Sequence, residues 1–154
     1  MEKKDLRSLT IEEMTELAES MGQKTFRGKQ LFEWIHKKQV ENLEEISNLP
    51  KAFLEPLQEN YMVSGVALVK KQMSKAGDTA KYLFSLADGN LIESVWMKYH
   101  HGNSVCISSQ VGCRMGCTFC ATGRGGFCRN LAPSEMLAQI QAAERDKGIR
   151  ISNI

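Results

Sequence analysis

The chain has 154 residues, 42% hydrophobic and 25% charged, with a formal charge of +2, which is the make-up of a globular protein of one domain or a little more. Its opening "MEKKDLRSLT" is charged and lacks an apolar core, so it is no secretory signal, and no run approaches the roughly 18 apolar residues of a membrane span. The expectation is a cytoplasmic protein with no membrane partner, whose thiols stay reduced.

Residues 1–60 read as helical. "LTIEEM" carries a capping box, with Thr10 as N-cap and Glu13 three residues on, and Leu9 and Met14 stand where a hydrophobic staple needs them. Ile11, Met14, Leu17, Ala18 and Met21 form one apolar stripe, which Gly22 stops. A second helix is expected from about Arg27 to Lys38, with Leu31, Trp34 and Ile35 inward. A third begins near Pro50, and Pro56 leaves its end open.

Residues 61–100 change texture. "MVSGVALVKKQM", "AKYLFSL" and "LIESVWMKY" are β-branched and aromatic, and Asp88-Gly89 inside "ADGN" signals a tight hairpin. They predict a three-stranded antiparallel meander, followed by "HHGN" as a turn. In residues 101–154, "SVCISS" reads as a short buried strand leading into a cysteine loop. "APSEMLAQIQAAERDKG" then reads as a helix opened by Pro133 and closed by Gly148, and "IRISNI" as the start of another strand. Strand, loop, helix, strand is a βα unit feeding a parallel sheet, so the fold class is α/β. A parallel sheet is not complete with one and a half strands. The chain is therefore expected to be a fragment, with an open strand edge that favours self-association.

All five cysteines fall between Cys106 and Cys128, and an odd, clustered set in a reducing compartment points to metal or thiol chemistry. "VGCRMGCTFCATG" spaces Cys113, Cys117 and Cys120 as C-x3-C-x2-C, unlike the paired C-x2-C of zinc fingers. Gly112 and Gly116 let the backbone wrap so that three thiolates converge on one object. A 4Fe-4S cluster held by three thiolates keeps one iron for a ligand from solution, as catalytic metal sites keep an open position. The alternative is a zinc site completed by Cys106, Cys128 or His101. Phe119 ahead of the third cysteine favours the cluster, as does a loop between strand and helix, where active sites of parallel barrels sit. No acid lies between Glu93 and Glu135, while Lys98, Arg114, Arg124 and Arg129 give that interval a charge of +4 with His100 and His101 neutral. Such a patch suits RNA or an anionic cofactor, or is a chance gap in the acids. His100 and His101 themselves read as turn residues.

C-x3-C-x-aromatic-C after the first strand of a (β/α) barrel resembles the signature of the radical S-adenosylmethionine (SAM) superfamily. The longer stretch "CISSQVGCRMGCTFCATGRGGFCRNL" resembles the adenine methyltransferases of large-subunit ribosomal RNA, the RlmN family and the related Cfr. "FRGKQLFEWIHKK" and "IESVWM" match that family's layout, so the resemblance covers nearly the whole chain. It implies that Cys113, Cys117 and Cys120 hold the 4Fe-4S cluster, with SAM on the free iron and Phe119 in the cofactor-binding loop. It also implies that one SAM methylates a cysteine near the C-terminus of these enzymes. A second, cleaved on reduction, supplies the deoxyadenosyl radical that abstracts hydrogen from that methyl group, and the carbon radical adds to carbon 2 of an adenine. That ring carbon is not nucleophilic, which is why the cofactor carries the hard chemistry.

The resemblance assigns two further residues. Cys106 matches a cysteine that resolves the RNA–protein adduct by forming a disulfide with the methyl-carrying cysteine; read alone, it is a small buried hydrophobe in a strand. Glu93 matches the proton acceptor. On a strand it shares a face with Leu91, Val95 and Met97, where partial burial would make it a better base, although by itself it also reads as a glutamate at a solvated sheet edge. Cys128 departs from the pattern and has no role in it. Arg124, Arg129 and Asn130 are expected to contact RNA or phosphate, with plain surface charge as the alternative.

Residues 1–60 would be an accessory domain, with Lys24, Arg27, Lys29, Lys37 and Lys38 as an RNA-facing surface or a solvated helix face. Residues 61–100 would link it to a truncated radical SAM barrel beginning at 101–154. The implied partners are 23S rRNA, tRNA as a second candidate, and an external electron donor of flavodoxin type. Methylation at carbon 8, the Cfr activity, is one alternative. A non-catalytic zinc or iron–sulfur RNA-binding module is another, from a different class. In the family the methyl-carrying cysteine lies far beyond residue 154, so this chain alone is expected to transfer no methyl group.

Overall fold

In the computed structural model, residues 3–154 are described, and the chain divides into two compact units, Met1–Ser64 and Gly65–Ile154. The first is built on α1 (Ile11–Ser20), α2 (Thr25–Phe32) and α3 (Lys51–Asn60). The capping box opens α1 as the sequence requires: the Glu13 N–H donates to Thr10 Oγ1 at 3.2 Å, and the Thr10 N–H donates to Glu13 Oε2 at 2.7 Å. Gly28 faces α1 so closely that a Cβ there would overlap Thr15 Cα and the Met14 carbonyl, and this absence of a side chain lets the two helices meet backbone to backbone. Leu6, Met14, Leu31, Ile35, Phe53 and Leu57 are fully buried and form the core of this unit.

Three features of the first unit depart from the sequence pattern. The second helix reaches its expected end by way of a π-helical turn, Glu33–Lys37, rather than continuous α-helix. Pro56 sits inside α3, which runs on to Asn60, where the side-chain amide donates to the Pro56 carbonyl at 2.9 Å. Two-residue strands β1 (Lys4–Asp5) and β2 (Tyr61–Met62) pair in parallel and tie the ends of the unit together.

The second unit is a four-stranded antiparallel sheet in the order β3 (Ala67–Met73), β4 (Thr79–Ser85), β5 (Leu91–Tyr99) and β6 (Gly102–Cys106). The expected meander of three thus gains a fourth strand, because the His100-His101 turn, with Gly102 at φ 136°, folds the "SVC" segment back along β5. Helix α5 (Pro133–Lys147) covers one face, over Ala80, Tyr82, Phe84, Ile92, Trp96 and Val105. The Tyr82 hydroxyl donates to Asp146 at 2.8 Å, and Lys147 Nζ stands 4.3 Å from the Trp96 ring centre. After α5 the chain returns to β6 in parallel: Ser104 bridges Asn153, and the Val105 N–H donates to the Asn153 carbonyl at 3.0 Å. This is the expected βα unit, so the fold is α/β, with β6 shared between the antiparallel sheet and the parallel crossover. No helix among the described residues is long and apolar enough to cross a membrane.

Candidate functional site

Between β6 and α5 the chain makes a short antiparallel hairpin, β7 (Gln110–Gly112) with β8 (Phe127–Asn130), and residues 113–126 form its head. Gly112 and Gly116 have φ of 72° and 63°. At Gly112 a Cβ would run into the Gly126 carbonyl, the same oxygen that accepts the Cys113 N–H at 3.2 Å, so this hairpin closes only on a glycine. The head contains the four-residue helical turn α4 (Ala121–Arg124), which starts directly after Cys120. The N–H groups of Gly123 and Thr122 reach the Cys120 sulfur, and with the Thr122 hydroxyl they hold its pKa below that of an ordinary thiol. The Met115 N–H points at the Cys113 sulfur at 3.5 Å, and the Cys120 N–H donates to the Cys117 carbonyl at 3.1 Å.

Cys113, Cys117 and Cys120 are free thiols, each half-exposed on this head. They share one loop but are not drawn tightly together: among the described residues, no three His, Cys, Asp or Glu side chains converge to hold a metal ion. The donor chemistry nevertheless fits an iron–sulfur cluster, with three unpaired thiols and backbone N–H groups already directed at two of the sulfurs. Phe119 is 88% exposed and Met115 79%, so neither contributes to a core. The zinc alternative finds no gathered ligand set either, and His101 lies stacked on Tyr99, ring centres 5.1 Å apart, beside the β5–β6 turn.

Glu93 and Cys106 lie on the sheet face opposite α5. Val95 pairs with Cys106 across β5 and β6, so Cys106 shares the outer face with Val95 and Glu93. Glu93 was expected to be partly buried with Leu91, Val95 and Met97, but that stripe is the more exposed one, and the inner stripe is Ile92, Ser94 and Trp96. The Glu93 carboxylate is 49% exposed and pairs with Lys81 Nζ at 2.7 Å. Cys106 is exposed as well, not the buried hydrophobe of the plain reading. A cleft of about 450 Å³ is lined by Glu93 and Ser108 on one side and Gly112, Thr122 and Cys128 on the other, so it joins the sheet edge to the cysteine head. Cys106 is not among its lining residues.

Two polar devices hold the hairpin, and sequence reasoning found neither. Arg129 was expected to contact RNA or phosphate. Instead its guanidinium grips Glu135 with two bonds of 2.7 Å and reaches Asp88 at 2.7 Å, which fastens β8 to the start of α5 and to the β4–β5 turn. The Asp88 carboxyl is pulled down to about 2, first by the Asn90 N–H and side chain and then by Arg129, and Arg129 likewise lowers the Glu135 carboxyl. Arg114 stacks on the Phe127 ring, 4.1 Å from its centre. Of the interval's four cations, two are therefore engaged, Arg114 within the hairpin and Arg129 with carboxylates outside it. The second device is Gln139, buried in α5 and bonded to Ser94 and to Ser108. The signal for the first was Glu135 six residues after Arg129; for the second it was a lone amide within the apolar helix "MLAQIQAA".

The fold that sets the three-thiol loop between a strand and the helix returning to a parallel partner is shared with a radical SAM methyltransferase of known structure. A crystal structure of a radical SAM methyltransferase from Sphaerobacter thermophilus superposes with a TM-score of 0.84 at 34% identity, over 98% of this chain and 45% of that one. Residues 4–63 match the family described as the ribosomal RNA large subunit methyltransferase N-terminal domain. The probable dual-specificity RNA methyltransferases RlmN of Lachnoclostridium phytofermentans and Alkaliphilus oremlandii are 51% and 50% identical, over 99% and 100% of this chain and 43% and 45% of theirs. The chain is thus similar to RlmN proteins over nearly its whole length, and the match to the family's N-terminal domain takes in residues 4–63. It spans about half the length of the curated relatives it matches.

Proposed function

We propose that this chain carries the cluster-binding loop of a radical SAM enzyme that methylates carbon 2 of an adenine in 23S rRNA, with tRNA as a second substrate. The carrying observation is the glycine-hinged head of the β7–β8 hairpin, with its three free, half-exposed thiols. On this reading Cys113, Cys117 and Cys120 would hold a 4Fe-4S cluster with one iron left for SAM, and Phe119 would serve the cofactor-binding loop. When bound, the cluster supplies the electron that cleaves SAM, delivered by an external flavodoxin-type donor. Glu93 accepts a proton from the substrate side of the cleft. Its exposure leaves the carboxylate open to a substrate, which would have to displace the Lys81 ammonium 2.7 Å away. Cys106 presents its thiol on the same outer face, from which it would resolve the RNA–protein adduct by forming a disulfide with the methyl-carrying cysteine. The helical unit contributes RNA contacts through Lys24, Arg27, Lys29, Lys37 and Lys38. RNA as substrate is supported by the shared name of the relatives, and carbon 2 rather than carbon 8 by the RlmN rather than the Cfr assignment.

Anaerobic reconstitution tests this. The protein should bind about four irons per chain, lose them when Cys113, Cys117 or Cys120 is changed to Ala, and show an altered electron paramagnetic resonance (EPR) signal when SAM is added. One tightly bound zinc and no response to SAM would sink the proposal in favour of a non-catalytic module.

A further inference from the structure

Gln139 is fully buried in α5, and its carboxamide uses every hydrogen-bonding position it has. Its Oε1 accepts from the Ser108 N–H at 2.9 Å and from the Ser94 hydroxyl at 2.7 Å. Its Nε2 donates to the Ser108 carbonyl at 3.0 Å and to the Glu135 carbonyl at 3.1 Å. An amide that binds both the N–H and the C=O of one residue does what a neighbouring strand would do. It does so where β6 has ended and β7 has not begun. The Ser108 hydroxyl donates to the Glu93 carbonyl at 2.7 Å, and the next carbonyl, of Ser109, accepts from the Leu131 N–H at 2.9 Å just beyond β8. One residue of backbone is thus fixed from three directions, by β5, by α5 and, through its neighbour, by β8.

We propose that Gln139 is a positioning residue: through Ser108 it holds the strand ends carrying Cys106 and Glu93 in register with the loop carrying Cys113, Cys117 and Cys120. This rests on the function proposed above. The relevant geometry is the span between Cys106 and Cys113, six residues containing only the short strand β7. Without an anchor in that span, the outer sheet face and the cysteine head would be joined by an unfixed turn. A buried glutamine is a poor choice for filling the space between α5 and the sheet, since an apolar residue would do so without needing four partners. Its worth lies in what it fixes.

The test compares Gln139→Leu with Ala143→Gly, which weakens the same helix at a fully buried site away from Ser108. Hydrogen exchange at the Ser108 amide should accelerate at least tenfold in Gln139→Leu. Iodoacetamide alkylation of Cys106 should change at least threefold relative to Cys128, and the EPR change on adding SAM to the reconstituted protein should diminish. Ala143→Gly should move none of the three. If the leucine variant does not fold, Gln139→Asn offers the same comparison, because it keeps an amide but withdraws it from Ser108. Unchanged exchange and alkylation in the Gln139 variants would overturn the proposal, and so would equal changes in Ala143→Gly. A wild-type protein that takes up no iron would instead sink the proposed function, with exchange and alkylation still deciding the role of Gln139.

Discussion

The sheet under α5 and the head of the β7–β8 hairpin belong to one compact unit, yet they are held by different physics. The sheet buries Tyr82, Phe84, Ile92, Trp96 and Val105 nearly completely. The head buries almost nothing apolar, and its two largest hydrophobes, Phe119 and Met115, stand in solvent. What fixes the head is a backbone that only glycine allows, a guanidinium held by two carboxylates, and one buried amide. A loop ordered by its own apolar core would have no side chains to spare. A loop ordered from its base leaves three thiols free to take a ligand.

The largest effect should come from the buried side. Phe84→Ala, at a site 2% exposed, should destabilise the unit by about 3–5 kcal/mol, read as a shift of the denaturant midpoint at constant slope. A loss below 1 kcal/mol would mean that burial is not what holds the sheet. Gly112→Ala should come next. It combines a left-handed φ of 72° with a Cβ set against the Gly126 carbonyl, at a cost of about 2–3 kcal/mol. Its signature differs from that of Phe84→Ala: iron uptake should fall at least tenfold while the far-ultraviolet spectrum of the sheet persists. Wild-type iron uptake in Gly112→Ala would show that the hairpin can close another way.

Arg129→Met should cost about 1–2 kcal/mol, since it strands the mostly covered Glu135 carboxylate without its cation. It also carries a pH signature. Asp88 and Glu135 titrate lower in the folded chain than in the unfolded one, Asp88 at about 2 against an ordinary 3.8. The unfolded state therefore binds more protons in that window. The stability these groups contribute is complete above about pH 5 and is lost as pH falls toward 2. Acid titration of Arg129→Met should show a flatter loss across that range. Some slope should survive, because the Asn90 N–H rather than Arg129 is the first cause of the Asp88 shift. An unchanged acid profile would assign the whole effect to the turn.

The same contrast explains what was legible in the sequence. The capping box of α1, the Asp88-Gly89 hairpin and the βα order after Ser104 rest on local chemistry, and all are present in the structure. The π-helical turn and the parallel β1–β2 pair were not foreseen, since "KD" and "YM" carry no strand signal and are joined only by the folding of everything between them. Around the site, the spacing of the cysteines was plain, whereas the face of Glu93 was misjudged. Both stripes of β5 carry polar residues, Glu93 on the outer one and Ser94 and Lys98 on the inner one, and alternation alone cannot rank them. Ser94 is the buried one because Gln139, 45 residues later, accepts its hydroxyl proton. Arg129 was read as a free cation for the same reason, since one of its two partners, Asp88, lies 41 residues before it. Local chemistry fixes elements, and long-range polar pairs decide which face and which charge remain available.

The smallest expected effect on stability is also the sharpest test of the contrast. Phe119 and Phe84 are the same residue type, 88% and 2% exposed. Exposed sites away from caps, networks and strained backbone change stability by less than about 0.5 kcal/mol when truncated. Phe119→Ala should therefore leave the denaturant midpoint and the iron content where they were. If the ring serves the cofactor-binding loop, as the proposed function has it, the variant should still diminish the EPR change produced by SAM. A phenylalanine held in water at the rim of a thiol loop is poorly placed for the fold and well placed to cover a ligand. Loss of stability comparable to that of Phe84→Ala would put Phe119 in a core, and the division between a buried sheet and an open head would fail at the residue where it is drawn most sharply.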